Sequence, residues 1–252
     1  MLWSKLKTVF IIAFLVLDIA FLALMGITAA GSRLSADELS QIVTLCGRYG
    51  IQLPEETVPT QATRLPLLEA RFLTAEDLPA EVRDRFAFDA DGRFTYQGID
   101  PVKAPPKDEK AARKLILEAL KSWGFDADTV MVELESPIKA KAFFAYQNRP
   151  LFDCEVDLTL SENEVSSAEG RWLSDVTVTR GAETILDAPT VLAEMIEEET
   201  LCHRDLSVTD IAIGYFPESG ETGTVHKIFP ISPAYRITLS NGDVRTYFAF
   251  GE

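Results

Sequence analysis

Histidine is nearly missing from this chain, with His203 and His226 the only two in 252 residues. Cysteine is sparse too: Cys46, Cys154 and Cys202. Cys202 and His203 are adjacent, but neither has a second ligand at zinc spacing. There is no HExxH, no GxSxG, no P-loop and no GxGxxG, so the usual signatures of zinc proteolysis, serine hydrolysis, nucleotide and dinucleotide chemistry are all lacking. A nucleophile pair assembled from Cys154 and His226 has no local sequence support. Basic residues are outnumbered, 24 Lys and Arg against 39 Asp and Glu, for a net charge of −15. Such a surface repels nucleic acid and anionic headgroups, so no nucleic-acid partner is expected.

The plentiful carboxylates are not arranged for chemistry. Asp153, Glu155 and Asp157 alternate with apolar residues, which reads as the solvated face of a half-buried strand. Asp89-Ala-Asp-Gly92 matches a calcium loop only in part, and its spacing fails the EF-hand pattern. No catalytic residue, cofactor or metal site is expected, and the chain does not read as an enzyme. An odd cysteine count leaves at least one thiol unpaired. Cys46 falls on a helix's apolar face and Cys154 in a strand, so buried free thiols are expected, with a Cys154–Cys202 disulfide as the alternative.

Long apolar sequence occurs once. Val9 to Ala30 is apolar except for Asp18 and follows a short tail holding Lys5 and Lys7. Twenty-two helical residues span about 33 Å, enough for a hydrocarbon core of ~30 Å. The expectation is a cytoplasmic tail (1–8), a single-pass anchor in the cell membrane (9–30) and an extracytoplasmic remainder, oriented by the two lysines. A cleaved signal peptide, with Thr28 and Ala30 at its cleavage site, is the rival reading. The apolar run is longer than a signal core, and Asp18 would be unusual there. Residues 1–30 carry a net +1, which leaves −16 for the rest.

An aspartate near the centre of a membrane helix costs roughly 2.5–3.5 kcal/mol on insertion scales. Phe14, Asp18, Leu22, Gly26 and Ala30 repeat every fourth residue and form one stripe. Gly26 and Ala30 permit close backbone approach. The stripe reads as a contact with another transmembrane helix, with Asp18 hydrogen-bonded across it. The plainer alternative is a protonated or solvated Asp18 with incidental small residues.

Beyond the anchor the pattern is α+β. Ser35-Ala-Asp-Glu38 is a capping box for a helix carrying Leu39, Ile42, Val43, Cys46 and Tyr49, and Gly50 stops it. Arg64–Leu73 and Arg93–Gly98 read as strands, Ala75–Phe86 as a helix despite Pro79, and 100–107 as a proline-rich linker. Asp108–Trp123 is strongly amphipathic and ends at Gly124. Strand-like runs follow at Val130–Glu135, Ala140–Gln147, Leu151–Leu160 and Val165–Leu173, with turns at Asn148-Arg149-Pro150 and Ser161-Glu162-Asn163. In the third run Phe152, Cys154, Val156 and Leu158 share one core face. A second helix, Ala188–Glu199, precedes strands at Leu206–Tyr215, Val225–Phe229, Ala234–Leu239 and Val244–Phe250. Ser219–Gly223 reads as a turn, and Ser240-Asn-Gly-Asp243 is a hairpin signal. The expected organisation is a smaller N-terminal α/β subdomain (32–104) and two similar units of a helix on a four-stranded antiparallel sheet (105–180 and 181–252).

The N-terminal stretch, with Trp3, Lys7, Thr8, Phe10 and Asp18, resembles the start of the YycI family. Those proteins are accessory to the WalK–WalR (YycG–YycF) two-component system of Gram-positive bacteria. Position 2 is Leu2, where the family pattern has an acidic or amide residue. The segment Tyr49–Pro54 and the helix-plus-sheet units are also similar in layout to YycI and YycH. The resemblance implies a non-enzymatic membrane protein that contacts a YycH-like partner and the transmembrane helices of a sensor histidine kinase, and so adjusts cell-wall homeostasis. Its functional face would be the stripe around Asp18 and Phe14. The alternatives are an extracytoplasmic ligand-sensing or protease-inhibitory module and a cell-envelope hydrolase.

Overall fold

The computed structural model describes residues 34–98, 104–125, 129–197, 205–218 and 227–250. The tail, the membrane span and the stripe Phe14, Asp18, Leu22, Gly26 and Ala30 lie outside the described residues, as do Cys202, His203 and His226. No helix among the described residues is long and apolar enough to cross a membrane.

The described chain is α+β, with a large mixed sheet and few helices. Helix α1 (Ala36–Arg48) starts at the expected capping box: Ser35 Oγ accepts from the Glu38 amide at 3.2 Å, and Glu38 Oε2 accepts from the Ser35 amide at 2.8 Å. Strand β1 (Ile51–Gln52) follows at once, and then β2 (Arg64–Phe72). One-turn helix α2 (Ala80–Arg83) precedes β3 (Phe86–Phe88) and β4 (Arg93–Gln97).

Helix α3 (Glu109–Ser122) begins where Asp108 Oδ1 accepts from the Ala111 amide at 2.7 Å. It ends in a Schellman arrangement. Gly124 sits at φ 87°, its amide bonds Lys121 O, and the Phe125 amide reaches back to Leu120 O at 2.9 Å. That ending decides packing. Trp123 lies 4.5 Å from the Tyr96 ring, and Phe125 stacks on Trp172 at 4.8 Å. With Ala112, Ile116 and Leu120 buried, one face of α3 is committed to the core. Each fully buried large apolar side chain contributes roughly 1.5–3 kcal/mol.

Strands β5 (Val130–Ser136), β6 (Lys139–Tyr146), β7 (Arg149–Leu160) and β8 (Val165–Arg171) form an antiparallel meander. A long strand β9 (Leu173–Thr184), helix α4 (Ala188–Glu197) and strands β10 (Leu206–Pro217), β11 (Phe229–Leu239) and β12 (Val244–Phe248) complete the chain. Helices α1 and α4 pack on each other, and Ile42, Cys46, Leu192 and Met195 enter the same apolar core as α3.

The twelve strands among the described residues join in one sheet with two parts. One runs β3-β4-β8-β7-β6-β5. In the other, β10 pairs β11, and β2 and β12 share β11's far edge. Strand β9 then pairs β2. The parts meet at a single parallel pair, Tyr215 opposite Leu151. Strand β7 reaches that junction through a bulge: Phe143 pairs Glu155 and Ala145 pairs Pro150, so residues 151–154 leave the β6 ladder, with Asp153 at φ 62°.

Several expectations need correcting. Ala75–Phe86 is not one helix: Pro79 has no N–H to donate, so a 3-10 turn (Ala75–Asp77) stops before it and α2 starts after it. The turn before β7 is Gln147-Asn148, both at positive φ, and Arg149 and Pro150 already belong to the strand. Phe152 leaves the face of Cys154 and Val156, because the bulge rotates it out of register. The described end of the expected strand Val225–Phe229 is the start of β11, which continues through Pro230 and Pro233. Pro233 is tolerated where β11's far edge passes from β2 to β12 and no donor is needed. The meander after α4 therefore has three described strands. Strand β9 lies on an edge with most residues exposed, so it lacks the alternation that would reveal it. The 32–104 segment is shared out: β2 joins one part of the sheet, and β3 and β4 extend the other through β8.

Candidate functional site

Strand β10 is paired unevenly. One edge follows β11 from Val208 to Pro217. Among the described residues the other is held only at its ends, by β1 at Leu206 and Ser207 and by β7 at Tyr215. Between those anchors the chain opens into a cleft of about 650 Å3. Asp210–Ile213 form one wall, and Arg149 and Pro150 of β7 face them. Met131 and Phe143 supply apolar surface, and the segment from Val58 to Thr63 closes one side.

The backbone of that edge can be oriented from its neighbours. Pro233 O accepts from the Ala249 amide at 2.8 Å, so Pro233 directs its carbonyl away from β10. Its opposite residue, Tyr215, therefore turns its own N–H and C=O away from β11. Alternation gives Ile213 and Ile211 the same direction. Both point into the cleft, and neither has a strand partner there among the described residues.

Two arginines, Arg149 and Arg236, line this cleft with two acids, Glu133 and Asp210. Arg236 on β11 holds its guanidinium carbon 4.4 Å above the Phe152 ring, and Phe152 is 1% exposed. Phe152 reaches this place because β10 is thin here. A Cβ built at Gly214 would lie 2.2 Å from Pro150 O and 2.7 Å from the Phe152 ring. Arg149 is half-buried where β7 crosses. Neither arginine has a carboxylate partner among the described residues. Arg71 shows the contrary habit, being bound by both Asp77 and Asp175. Arg149 also acts on buried phenols. Burial pushes the Tyr235 hydroxyl up to about 12 and Asp187 adds to this, while Arg149 opposes it. Tyr215 is likewise raised by burial, and its hydroxyl has no hydrogen-bond partner among the described residues.

The carboxylates singled out in the sequence behave as a solvated face. Glu155 and Asp157 lie 3.6 and 3.7 Å from Lys141, with Glu135 at 3.8 Å. Burial works to lower the Lys141 pKa, but these three acids outweigh it and raise it. Asp153 occupies the β7 bulge. Asp89 spends its Oδ1 on the Asp91 and Arg93 amides, making a turn rather than a ligand shell. No group of three or more His, Cys, Asp or Glu able to hold a metal occurs among the described residues. Cys46 and Cys154 are buried and free; Cys202, the other half of the alternative disulfide, lies outside the described residues.

The stripe from Phe14 to Ala30 lies outside the described residues. What sequence reading missed is the pair Arg149 and Arg236. The available signal was Arg236 itself, the single charged residue of β11, between Tyr235 and Ile237.

No family model matches the chain, and no curated protein matches it. Among solved structures the chain is similar to an uncharacterized protein from Eubacterium rectale, at 10% identity and a TM-score of 0.45, over 79% of this chain and 88% of that one.

Proposed function

We propose that this chain is a membrane-anchored, extracytoplasmic accessory protein of the YycI type, which modulates a WalK-type sensor histidine kinase together with a YycH-like partner. The observation that carries the reading is the N-terminal sequence: Trp3, Lys7, Thr8 and Phe10 followed by Asp18 inside a 22-residue apolar run. The chain after it supports the reading in layout. A capped helix leads into Tyr49–Pro54, which holds β1, and two helix-plus-meander units follow, the first of four strands and the second of three described strands.

The mechanism is differential helix contact. Asp18, with Phe14, Leu22, Gly26 and Ala30, binds one signalling arrangement of the kinase helices better than the other. The equilibrium shifts by no more than that difference in affinity. A buried aspartate finding a hydrogen-bond partner across the contact offsets part of its insertion cost.

The test is Asp18→Leu in the full chain, with co-purification of the kinase and kinase output as readouts. Reduced association and altered output are expected. Unchanged association together with unchanged output would sink the role given to Asp18.

A further inference from the structure

We propose that the cleft beside β10 binds an extended peptide segment bearing acidic side chains, added as a strand to the open β10 edge. The proposal concerns the described domain and does not depend on the kinase reading.

Three observations converge. The first is the edge. From Val208 to Gly214, seven residues or about 23 Å at ~3.3 Å each, β10 has no partner on this side among the described residues. The N–H and C=O of Ile211 and Ile213 point into the gap as a ready ladder, although both residues are more than nine-tenths buried. An open strand edge of this kind is a template for pairing with another strand. The facing wall cannot supply a regular ladder, since Pro59 and Pro150 lie on it and have no N–H.

The second is charge. Arg149 and Arg236 enter the cleft together with two exposed acids, Glu133 and Asp210, yet neither arginine has a carboxylate within ion-pair distance among the described residues. Arg236 places its guanidinium carbon over the Phe152 ring, a cation–π contact that holds the group at the cleft. A carboxylate from the ligand completes both arginines.

The third is shape. Met131 and Phe143 on one side and Ala212 on the other give apolar surface for the intervening side chains, while the Ile211 and Ile213 side chains belong to the core. A volume of about 650 Å3 suits a few residues of extended chain. A free small anion would use the arginines and leave the strand edge unmet.

The experiment uses the full chain in detergent micelles. The probe is a fluorescein-labelled hexapeptide of alternating valine and glutamate, with a valine–lysine hexapeptide as its counterpart. The acidic peptide is expected to bind saturably by fluorescence anisotropy, and to slow amide exchange at Ile211 and Ile213 at least tenfold. Replacing both arginines, Arg149→Gln with Arg236→Gln, is expected to weaken binding at least tenfold. Equal binding of the lysine peptide, or unchanged exchange at Ile211 and Ile213, would overturn the proposal. Competition by inorganic phosphate or free glutamate at concentrations equal to the peptide would overturn its peptide part. The exchange and charge-swap readouts use the unaltered chain, so a misfolded variant does not leave the outcome open.

Discussion

The Arg71 guanidinium and the Asp77 carboxylate meet fork to fork, Nη1 to Oδ2 at 2.7 Å and Nη2 to Oδ1 at 2.6 Å. The third arm, Nε, reaches Asp175 on β9 at 2.7 Å. Asp77 also accepts from the Thr74 amide. One side chain thus ties β2 to the loop after it and to the edge strand beside it.

That pair predicts acid sensitivity. Hydrogen bonding from Arg71 holds Asp77 at about 2, against an ordinary 3.8, although burial opposes it. A carboxylate lowered on folding stabilises the fold fully above pH ~4, and the contribution, about 2 kcal/mol, is lost as the pH falls through about 2. Asp77→Asn is expected to lower stability by 1–2 kcal/mol on that scale at pH 7 and to flatten the acid limb, measured by urea titration of the purified chain from pH 2 to 7. A variant whose acid limb stays as steep as the parent's would refute the assignment.

Gly214 and Pro150 predict a steric requirement. The Cβ of an alanine at 214 would meet Pro150 O at 2.2 Å, and backbone cannot swing aside as a flexible side-chain end can. Gly214→Ala is expected to cost about 3 kcal/mol, at the upper end of overpacking losses, and to part β7 from β10. Faster amide exchange at Leu151 and Tyr215 would report the parting. A variant within 0.5 kcal/mol of the parent, about the scatter of neutral surface changes, would show that the junction yields freely.

Ile116 predicts how firmly α3 is held. It is 0% exposed, so Ile116→Ala removes transfer energy and leaves a cavity, for a loss of about 3–4 kcal/mol. Leu117, on the outward side at 37% exposed, is expected to lose under 1 kcal/mol on the same change. Equal losses at the two positions would contradict the assigned face.

The thiols predict silence. Burial pushes Cys46 up to about 11, and raises Cys154 further. At pH 8 both are thiols rather than thiolates. Alkylation by iodoacetamide, mapped by mass spectrometry, is expected to run about two orders of magnitude slower at Cys46 and Cys154 in the folded chain than in urea. Comparable rates in the two states would place either thiol at the surface.

Local signals explain what sequence reading could reach. Ser35 and Glu38, Asp108, Gly124 and the Asn241-Gly242 turn each act within a few residues, so helix starts, a helix end and a hairpin were legible. The apolar stripe of α3 was legible because burial on a helix imposes a period. Strand β9 was not, because an exposed edge imposes none. The bulge that turns Phe152 out of register was equally silent, since its cause is the approach of β7 to β10 and not a preference of residues 151–154.

The sequence by itself determined the α+β character, the caps and turns, the excess of negative charge and the one long apolar run with Asp18 inside it. These follow from composition and from interactions between near neighbours. Tertiary structure alone decided that β2 joins β11 and β9 while β3 and β4 join β8, and that β10 has no strand partner on one side from Val208 to Gly214 among the described residues. It also decided that Arg149 and Arg236, 87 residues apart in the chain, line one cleft. Strand pairing brings together residues of any separation. Which edges meet, and which edge is left open, therefore depends on how the whole sheet buries its faces.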